Sequence, residues 1–379
     1  MRVAVLEFIC GSGLFRAAQS AEDLDGSASL LQEGYAMLFA LAADLNRSGH
    51  EVATVLEASI ADWVRERWQG TFPCHATLLS ANEQEAAPDR LAAYLESWHR
   101  VAATCDATIV IAPELDGTLI EVIGFLRARG IAVIAPCERF LQATSDKLAT
   151  SEHWSRAGIP HPATWRLDRW VEERVEHTWS ADAPHRGNAI QGWVIKRRMG
   201  AGGVDLQRCP AASHVHRFAQ ALQQGTTNEY ELGNRQAWLV QPWLDGKPAS
   251  MAVLASGEHR TVLGAMQQHL SMSDDQGISY QGGSGPLEDA PIERLQSFAD
   301  QVLAAIPGRA QGWIGIDFVV TRSGQWHAIE VNARLTSSYL GYRAWYGAGL
   351  AQSLTTGSAI PEVPKNLAPS SFSVADFRG

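Results

Sequence analysis

The sequence predicts an N-terminal α/β domain with a doubly wound parallel sheet. The sequence pattern changes near residue 140, where a second region begins. The first observation is a set of short β-branched runs before that point, RVAVLEF, EVATVLE, ATIVIAPE and IAVIAP. The second is the helical pattern between them, as in SLLQEGYAMLFALAADLNRSG, where apolar residues recur at helical spacing until Gly49. Strands that alternate with helices are typical of a parallel sheet with helices on its faces.

Composition restricts the classes of function. The chain has 379 residues, 46% of them hydrophobic and 19% charged, which leaves room for two or three domains with filled cores. A net charge of -10 without a basic stripe argues against nucleic acid as the main partner. No apolar run approaches the ~20 residues of a membrane span. The five cysteines form no CxxC pair, as in reduced proteins. We therefore expect a cytoplasmic protein with no nucleic-acid or membrane partner.

The stretch TSDKLATSEHWSRAGIPHPATW predicts a capped helix. Thr144 or Ser145 is expected as the N-cap, Gly158 as the stop, and Pro160 lies beyond it. Lys147 then lies in the first turn, where the helix dipole disfavours a cation. A solvated lysine would be harmless there. The alternative is that Lys147 and the helix start face the same anion.

The next stretch, GWVIKRRMGAGGVDL, predicts a strand followed by a glycine-rich loop. Lys196 lies on the strand, and a loop that contains Gly202 and Gly203 can wrap a phosphate with its backbone N–H groups. No GK[ST] follows, so this is not a Walker A loop. Alone, such a loop usually marks a hairpin. Lys196 at its mouth and Lys147 at a helix start favour nucleotide phosphates.

Two strands joined by a tight turn at the SG dipeptide are predicted by GWIGIDFVVTRSGQWHAIEVNAR. If Arg322 pairs with Gln325, Asp317 falls directly opposite Glu330, with Cβ atoms about 5 Å apart. Asn332 lies two residues beyond Glu330 and therefore on the same face of its strand.

Two carboxylates and an amide oxygen on one face favour a hard cation. Like charges in opposed positions repel each other, and the flanking residues of both strands are apolar. Mg²⁺ shared with nucleotide phosphates fits this ligand set best. The alternative is a half-exposed hairpin whose acidic side chains are solvated.

Four features together resemble the ATP-grasp superfamily: Lys147 at a helix start, Lys196 before a glycine-rich loop, the stretch VQPWLDG, and Asp317 with the Glu330-x-Asn332 pair. The resemblance covers most of the chain, and the order and spacing of the features make it specific. It implies that the N-terminal domain precedes an α+β ATP-grasp domain of two subdomains that clamp ATP. The expected domains are residues 1–140, 141–240 and 241–379.

The resemblance also implies a role for each motif. Lysines at the positions of Lys147 and Lys196 hold phosphates in such proteins, and the arginine at the position of Arg334 meets the γ-phosphate or an acyl phosphate. The strand that crosses between the subdomains binds adenine through its backbone, and the acidic hairpin binds Mg²⁺, with Mn²⁺ as an alternative. The implied adenine-binding residues are Gln241, Trp243 and Leu244, and the implied metal ligands are Asp317, Glu330 and Asn332.

The crossing strand departs from the family pattern. Many relatives carry glutamates in and just after this strand for adenine and ribose, whereas this chain has Gln241, Pro242 and Pro248. Asp245 is the substitute candidate for the ribose contact.

Three stretches, SLLQEGYAML, SYQGGSGP and NARLTSSYLGYR, resemble the tyramine–glutamate ligase branch, which serves the synthesis of methanofuran-type cofactors. Tyr280 and Gln281 are candidates for lining the substrate site, although a plain surface loop fits the same stretch. Arg343 could pair with a second carboxylate, as on glutamate. The alternative is a helix from about Ser338 with Arg343 solvated.

The implied reaction is a ligation. A carboxylate, here expected to be glutamate, attacks the γ-phosphate of ATP, and an amine resembling tyramine or tyrosine displaces phosphate from the acyl phosphate. Lys196 and Arg334 would act catalytically by neutralising charge on the transferring oxygens. A small-molecule kinase and a non-catalytic nucleotide-binding protein remain as alternatives, and a homodimer is compatible with the sequence.

Overall fold

The computed structural model describes residues 1–11, 24–68, 71–79, 90–178, 191–200, 205–224, 235–257, 259–273, 276–357 and 367–373. Their strands are β1 Arg2–Glu7, β2 Glu51–Glu57, β3 His75–Leu79, β4 Ala107–Ile111, β5 Trp165–Arg166, β6 Trp193–Arg197, β7 Gln207–Cys209, β8 Trp238–Pro242, β9 Gly246–Ser256, β10 His259–Met272, β11 Ile278–Gly285, β12 Gly312–Thr321, β13 Trp326–Asn332 and β14 Ser370–Phe372. Their α-helices are α1 Phe8–Gly11, α2 Leu24–Arg47, α3 Ala58–Arg67, α4 Arg90–Ala102, α5 Thr118–Ala128, α6 Glu138–Ser145, α7 Lys147–Ala157, α8 Leu167–Glu172, α9 Val175–Thr178, α10 Ala212–Gln224, α11 Ile292–Ala304, α12 Tyr339–Tyr346 and α13 Gly349–Thr356.

The N-terminal domain contains a parallel four-stranded sheet in the order β3-β2-β1-β4. Helices α2 and α4 pack against its central strands. Strands β1 and β4 read as continuous apolar runs because nearly all of their side chains are buried. The predicted α/β domain with a parallel sheet is confirmed.

One predicted strand is wrong. The stretch IAVIAP forms only an isolated bridge, between Val133 and Thr108, and the fourth strand is β3 instead. Strand β3 lies at the edge of the sheet, and much of its surface is exposed, so its sequence lacks the apolar run of a buried strand.

Two largely antiparallel units follow. Strands β5, β8, β6 and β7 form a four-stranded sheet, and β13, β12, β9, β10, β11 and β14 form a six-stranded one. The four-stranded sheet has its own small hydrophobic core, around Trp170, Trp193 and Trp238. The six-stranded sheet shares one continuous core with the N-terminal domain. The chain therefore presents a small separate unit, held against a larger body.

Strand β8 carries the chain from one sheet to the other. Its last residue, Pro242, pairs with Trp193 of β6, and after residues 243–245 the chain enters β9 at Gly246. The predicted crossing at this point is confirmed. Within the part of the chain that the structure describes, no helix combines the length and apolar character needed to cross a membrane.

Candidate active site

A cavity of about 270 Å³ is lined by residues of both antiparallel sheets. The sequence-predicted residues that line it are Lys147, Lys196, Gln241, Trp243, Leu244, Tyr280, Asp317, Glu330, Asn332 and Arg334. These residues come from positions almost 190 apart in the chain, so the fold, rather than local sequence, brings them together. The predicted convergence of the two lysines on one cavity is confirmed.

Lys147 is the first residue of α7, as predicted, but the cap is wrong. The N-cap is Asp146, whose carboxylate accepts hydrogen bonds from the backbone N–H groups of Leu148 and Ala149. Thr144 and Ser145 instead belong to the preceding helix α6, which ends one residue earlier. The carboxylate of Asp146 is a better acceptor than a hydroxyl for the positive end of the helix dipole.

The cap also ties the helix to the strand that carries the second lysine. Arg198 donates two hydrogen bonds to Asp146, of 2.9 and 2.6 Å. The predicted stop at Gly158 is confirmed, since this residue is left-handed with φ of 69°. The start of α7 is therefore fixed to the end of β6, and Lys147 is held beside Lys196.

The two lysines lie in an environment that favours an anion. The Lys147 ammonium is 3.1 Å from Oε1 of Glu330 and donates to the carbonyl oxygen of Gly200. Burial, together with the positive charge of Lys147, lowers the pKa of Lys196 to about 8, although the negative charges of Glu330 and Asp317 oppose this shift. A phosphate group between the two cations would relieve their repulsion.

The register of the acidic hairpin is as predicted, but the turn is not. Asp317 pairs directly with Glu330. The turn is longer by one residue than predicted, because the backbone N–H of Thr321 bonds to the carbonyl of Gln325. A β-bulge beside Asp317 makes Ile329 an extra residue without a partner on the opposite strand, and this restores the predicted pairing of Asp317 with Glu330. The predicted turn and the missed bulge are two errors that cancel at the acidic pair.

Asp317 is held by two amide groups. Its carboxylate accepts hydrogen bonds from Gln268, at 3.1 Å, and from Asn332, also at 3.1 Å. Burial and, after it, the negative charge of Glu330 raise the pKa of Asp317 to about 7, although the hydrogen bond from Asn332 lowers it. Sequence analysis missed Gln268, which comes from β10, a strand without a recognisable motif.

The ligand set fits Mg²⁺. Asp317, Glu330 and Asn332 all line the cavity, and their donors are two carboxylates and an amide oxygen, which suit a hard divalent cation. Among the described residues, this cavity included, no three His, Cys, Asp or Glu side chains lie close enough together to hold a metal ion. The set therefore depends on Asn332 and on oxygens supplied by a bound nucleotide.

The crossing segment, residues 241–245, contributes to the end of the cavity that the family resemblance assigns to adenine. Gln241 donates a hydrogen bond of 2.8 Å to Thr164, while Trp243 and Leu244 line the cavity. Asp245, the ribose candidate, is not among the described residues that line it, because its carboxylate binds Arg322 at 2.7 Å. Gly202 and Gly203 lie outside the described residues, although Gly200 of the same loop lines the cavity.

The catalytic candidate Arg334 and two of the substrate candidates, Tyr280 and Gln281, are placed differently. Tyr280 and Arg334 line the cavity, and the Arg334 guanidinium lies 3.0 Å from Glu114 of the N-terminal domain. Gln281 is exposed on the same strand and donates to Ser271 instead, since neighbouring residues of a strand face opposite sides.

Arg343, a candidate for pairing with a second substrate carboxylate, is not among the described residues that line the cavity. This residue lies on α12 and donates two hydrogen bonds, of 2.8 and 2.7 Å, to the buried carboxylate of Asp44 on α2. Tyr339 donates to the same carboxylate at 2.9 Å. A helix here was one of the two readings left open by the sequence, but Arg343 is paired rather than solvated. It joins the six-stranded unit to the N-terminal domain.

We expect Arg343→Ala to lower the free energy of unfolding by about 2 kcal/mol, because it breaks a partly buried bidentate ion pair. The ratio of specificity constants for a dicarboxylate and its monocarboxylate analogue should not change. Chemical denaturation and steady-state kinetics measure the two quantities. Arg47→Ala is the matched control, since Arg47 binds the same carboxylate from a side chain that is 62% exposed, and should cost less than 1 kcal/mol. A changed substrate ratio in the Arg343 variant would restore its role in the site.

The chain matches two family models. Residues 144–338 match the ATP-grasp domain, which is just over half of the chain, and residues 75–137 match the pre ATP-grasp 3 domain. The chain belongs to the ATP-grasp family. The two matched regions meet near residue 140, where the texture of the sequence changes.

Individual relatives are more distant. A phosphoribosylamine–glycine ligase from Yersinia pestis is 25% identical over 240 residues, which are 59% of this chain and 52% of the relative. The chain thus spans about half the length of the curated relatives it matches.

Solved structures confirm the fold. An ATP-grasp superfamily protein from Archaeoglobus fulgidus has a TM-score of 0.61 at 17% identity, over 98% of this chain and 92% of that one. The biotin carboxylase domain of 2-oxoglutarate carboxylase from Hydrogenobacter thermophilus, solved with ADP as its magnesium salt and bicarbonate, has a TM-score of 0.62 at 15% identity. It covers 94% of this chain and 70% of that one.

Proposed function

We propose that this ATP-grasp protein is an ATP-dependent ligase that activates a carboxylate and joins it to an amine. The observation that carries the proposal is the convergence of Lys147, Lys196, Arg334 and the acidic hairpin on one cavity. Cations for phosphates and oxygen ligands for a divalent metal are the two requirements of phosphoryl transfer. The Yersinia pestis relative carries the name of a carboxylate–amine ligase, which agrees with this chemistry.

The proposed nucleotide site extends from the crossing segment to the hairpin. Adenine would lie at Gln241, Trp243 and Leu244, and the phosphates would lie against the two lysines. The side chains of Asp317, Glu330 and Asn332 would hold Mg²⁺, with Mn²⁺ as an alternative. When bound, the ion would neutralise charge on the phosphate oxygens.

The protein groups have defined tasks in the proposed reaction. A carboxylate oxygen attacks the γ-phosphorus, and ADP leaves with the electrons of the broken P–O bond. The neutral amine nitrogen then attacks the acyl carbon, inorganic phosphate leaves with the electrons of the broken C–O bond, and the nitrogen loses a proton to give the amide. Lys196 and Arg334 are both buried cations, so their charge acts on the developing anion with little screening by water.

The proposed substrates are glutamate and a tyramine- or tyrosine-like amine, as in the tyramine–glutamate ligase branch. The stretch SYQGGSGP supports this proposal through Tyr280, which lines the cavity. Arg343 no longer supports it, since it binds Asp44. A cytoplasmic location, a place in cofactor biosynthesis and a homodimer belong to the same proposal, and the five free cysteines agree with a reducing compartment.

A screen of ADP release over pairs of carboxylates and amines, with mass detection of products, tests the function. Glutamate with tyramine should give ADP, phosphate and an amide. ADP release without an amine, together with a stable phosphorylated product, would favour the alternative of a small-molecule kinase. ATP binding without turnover for every pair would favour a non-catalytic nucleotide-binding protein.

We expect Lys196→Met to weaken ATP binding at least tenfold, since a desolvated cation that faces phosphates contributes more than 1.4 kcal/mol. Lys147→Met should also weaken ATP binding. This variant is harder to interpret, because it also removes the ion pair between Lys147 and Glu330. Calorimetric titration with ATP measures the effect, which should shrink as salt is added.

The matched control for the lysine variants is Lys247→Met. Lys247 lies between two residues that line the cavity, Gly246 and Pro248, yet its own side chain is 60% exposed. Its replacement should leave ATP affinity unchanged. Unaltered affinity in the Lys196 variant as well would contradict the proposed phosphate site.

A further inference from the structure

We infer that the end of the cavity next to the N-terminal domain binds the amine substrate, and that Glu33 of α2 binds its ammonium group. This inference rests on the ligase function proposed above. It assigns a ligand to a residue in the stretch SLLQEGYAML, which the nucleotide site leaves without a role.

Glu33 lies where two cavities meet. It lines the main cavity and also a smaller one, of about 40 Å³, and Arg334 lines both. The smaller cavity contains Ile111 and Ala112, at the carboxyl end of β4, and Glu7, at the carboxyl end of β1. The chain order reverses between β1 and β4, and ligands of parallel sheets bind at such switch points.

Gly34, the residue after Glu33, allows helix α2 to approach Glu7 at the end of β1 closely. A Cβ atom added to Gly34 would lie 2.7 Å from the carboxyl atoms of Glu7. Any side chain at this position would therefore displace Glu7, whose carboxylate accepts a 2.6 Å hydrogen bond from the backbone N–H of Cys10. Gly34 allows α2 to lie directly on Glu7, and this contact places the adjacent Glu33 at the cavity.

The charges at this end favour a cation. The carboxylates of Glu33 and Glu114 lie near the guanidinium of Arg334, and Glu7 lines the smaller cavity together with Arg334. Glu114 is 2% exposed, and its Oε2 atom lies 3.0 Å from the Arg334 guanidinium. Its other oxygen, Oε1, has no hydrogen-bond partner among the described residues. Within the same part of the chain, Glu33 forms no ion pair. The site therefore has a carboxylate available for an ammonium group.

The remaining walls suit an amine with an aromatic part. Tyr280 lines the main cavity, and so does Ser337. Glu33 lies near enough to Tyr280 and Arg334 for its charge to affect both groups. An amine held by Glu33 would thus lie beside Arg334, the residue proposed to meet the acyl phosphate. Carboxylate binding would orient the amine, whose ammonium group must lose one proton to water before the nitrogen can attack the acyl carbon.

Glu33→Gln tests the inference, with hydroxylamine as a second acceptor. Hydroxylamine is uncharged near pH 7 and traps an acyl phosphate as a hydroxamate, whereas tyramine carries an ammonium group. With glutamate and ATP, the variant should form hydroxamate at the wild-type rate. Its kcat/KM for tyramine should fall about 100-fold, through a higher KM. Glu121→Gln, at an exposed position of the N-terminal domain, is the matched control.

The outcomes separate this inference from the proposed function. An unchanged KM for tyramine in the Glu33 variant, with normal hydroxamate formation, would overturn the role of Glu33 alone. Loss of hydroxamate formation in this variant would also overturn it, because Glu33 would then act before the amine enters. No hydroxamate from the wild-type protein with any carboxylate would instead contradict the ligase function itself.

Discussion

Glu330→Gln is expected to lower ATP turnover about 1000-fold while the protein keeps its fold. The substitution removes one of two carboxylates proposed to hold Mg²⁺, and a metal clamp contributes several kcal/mol to phosphoryl transfer. Glutamine has the same shape, and its amide oxygen can still accept a hydrogen bond from Lys147, which also keeps its bond to the carbonyl of Gly200. Rates of ADP release at increasing Mg²⁺ concentrations measure the loss.

A readout without turnover identifies the cause. ATP affinity of the wild-type protein should rise when Mg²⁺ replaces EDTA, and this gain should largely disappear in the Glu330 variant. Glu288→Gln is the matched control, because the Glu288 side chain is 85% exposed. Turnover of Glu330→Gln within a few-fold of wild type would show that the hairpin does not hold a catalytic metal. The pair of carboxylates would then serve only to neutralise the lysines.

The hairpin also shows which features of the site were accessible to sequence analysis. Alternation along two strands predicted that Asp317 and Glu330 lie together, but the pairing is correct only because the error in the turn and the missed bulge cancel. The compensating bulge at Ile329 was not predictable, since bulges depend on the neighbouring strand as well as on the sequence itself.

Long-range pairs marked the limit of sequence analysis. Arg343 and Asp44 are 299 residues apart. The sequence around Arg343 contains no feature that predicts an acidic partner on α2. Glu33 had a faint signal, since it lies in a stretch with a family resemblance, but its approach to Arg334 depends on how the domains pack. Periodicity predicted strands β1, β2 and β4 and helix α2 of the N-terminal domain, while contacts between domains required the fold.

Glu7→Gln is expected to stabilise the protein by about 3 kcal/mol above pH 7, with no gain near pH 4. Burial raises the pKa of Glu7 from 4.5 to about 7, despite hydrogen bonds from the backbone at Cys10 that lower it. The folded state therefore holds a proton that the unfolded state releases at lower pH. Stability of the wild-type protein should fall between about pH 4.5 and 7 because of this group, at 1.36 kcal/mol for each pKa unit.

The predicted quantity is the difference in unfolding free energy between the variant and the wild type, so the titration of groups common to both proteins cancels. Glutamine cannot ionise, and the stability of the Glu7 variant minus that of the wild type should rise from pH 4.5 to 7 and then stay level. Glu121→Gln, at an exposed position, should show no such rise. Denaturant unfolding at several pH values measures both curves. A flat difference would mean that water reaches Glu7 through the small cavity, and that the carboxyl group under Gly34 ionises as freely as one on the surface.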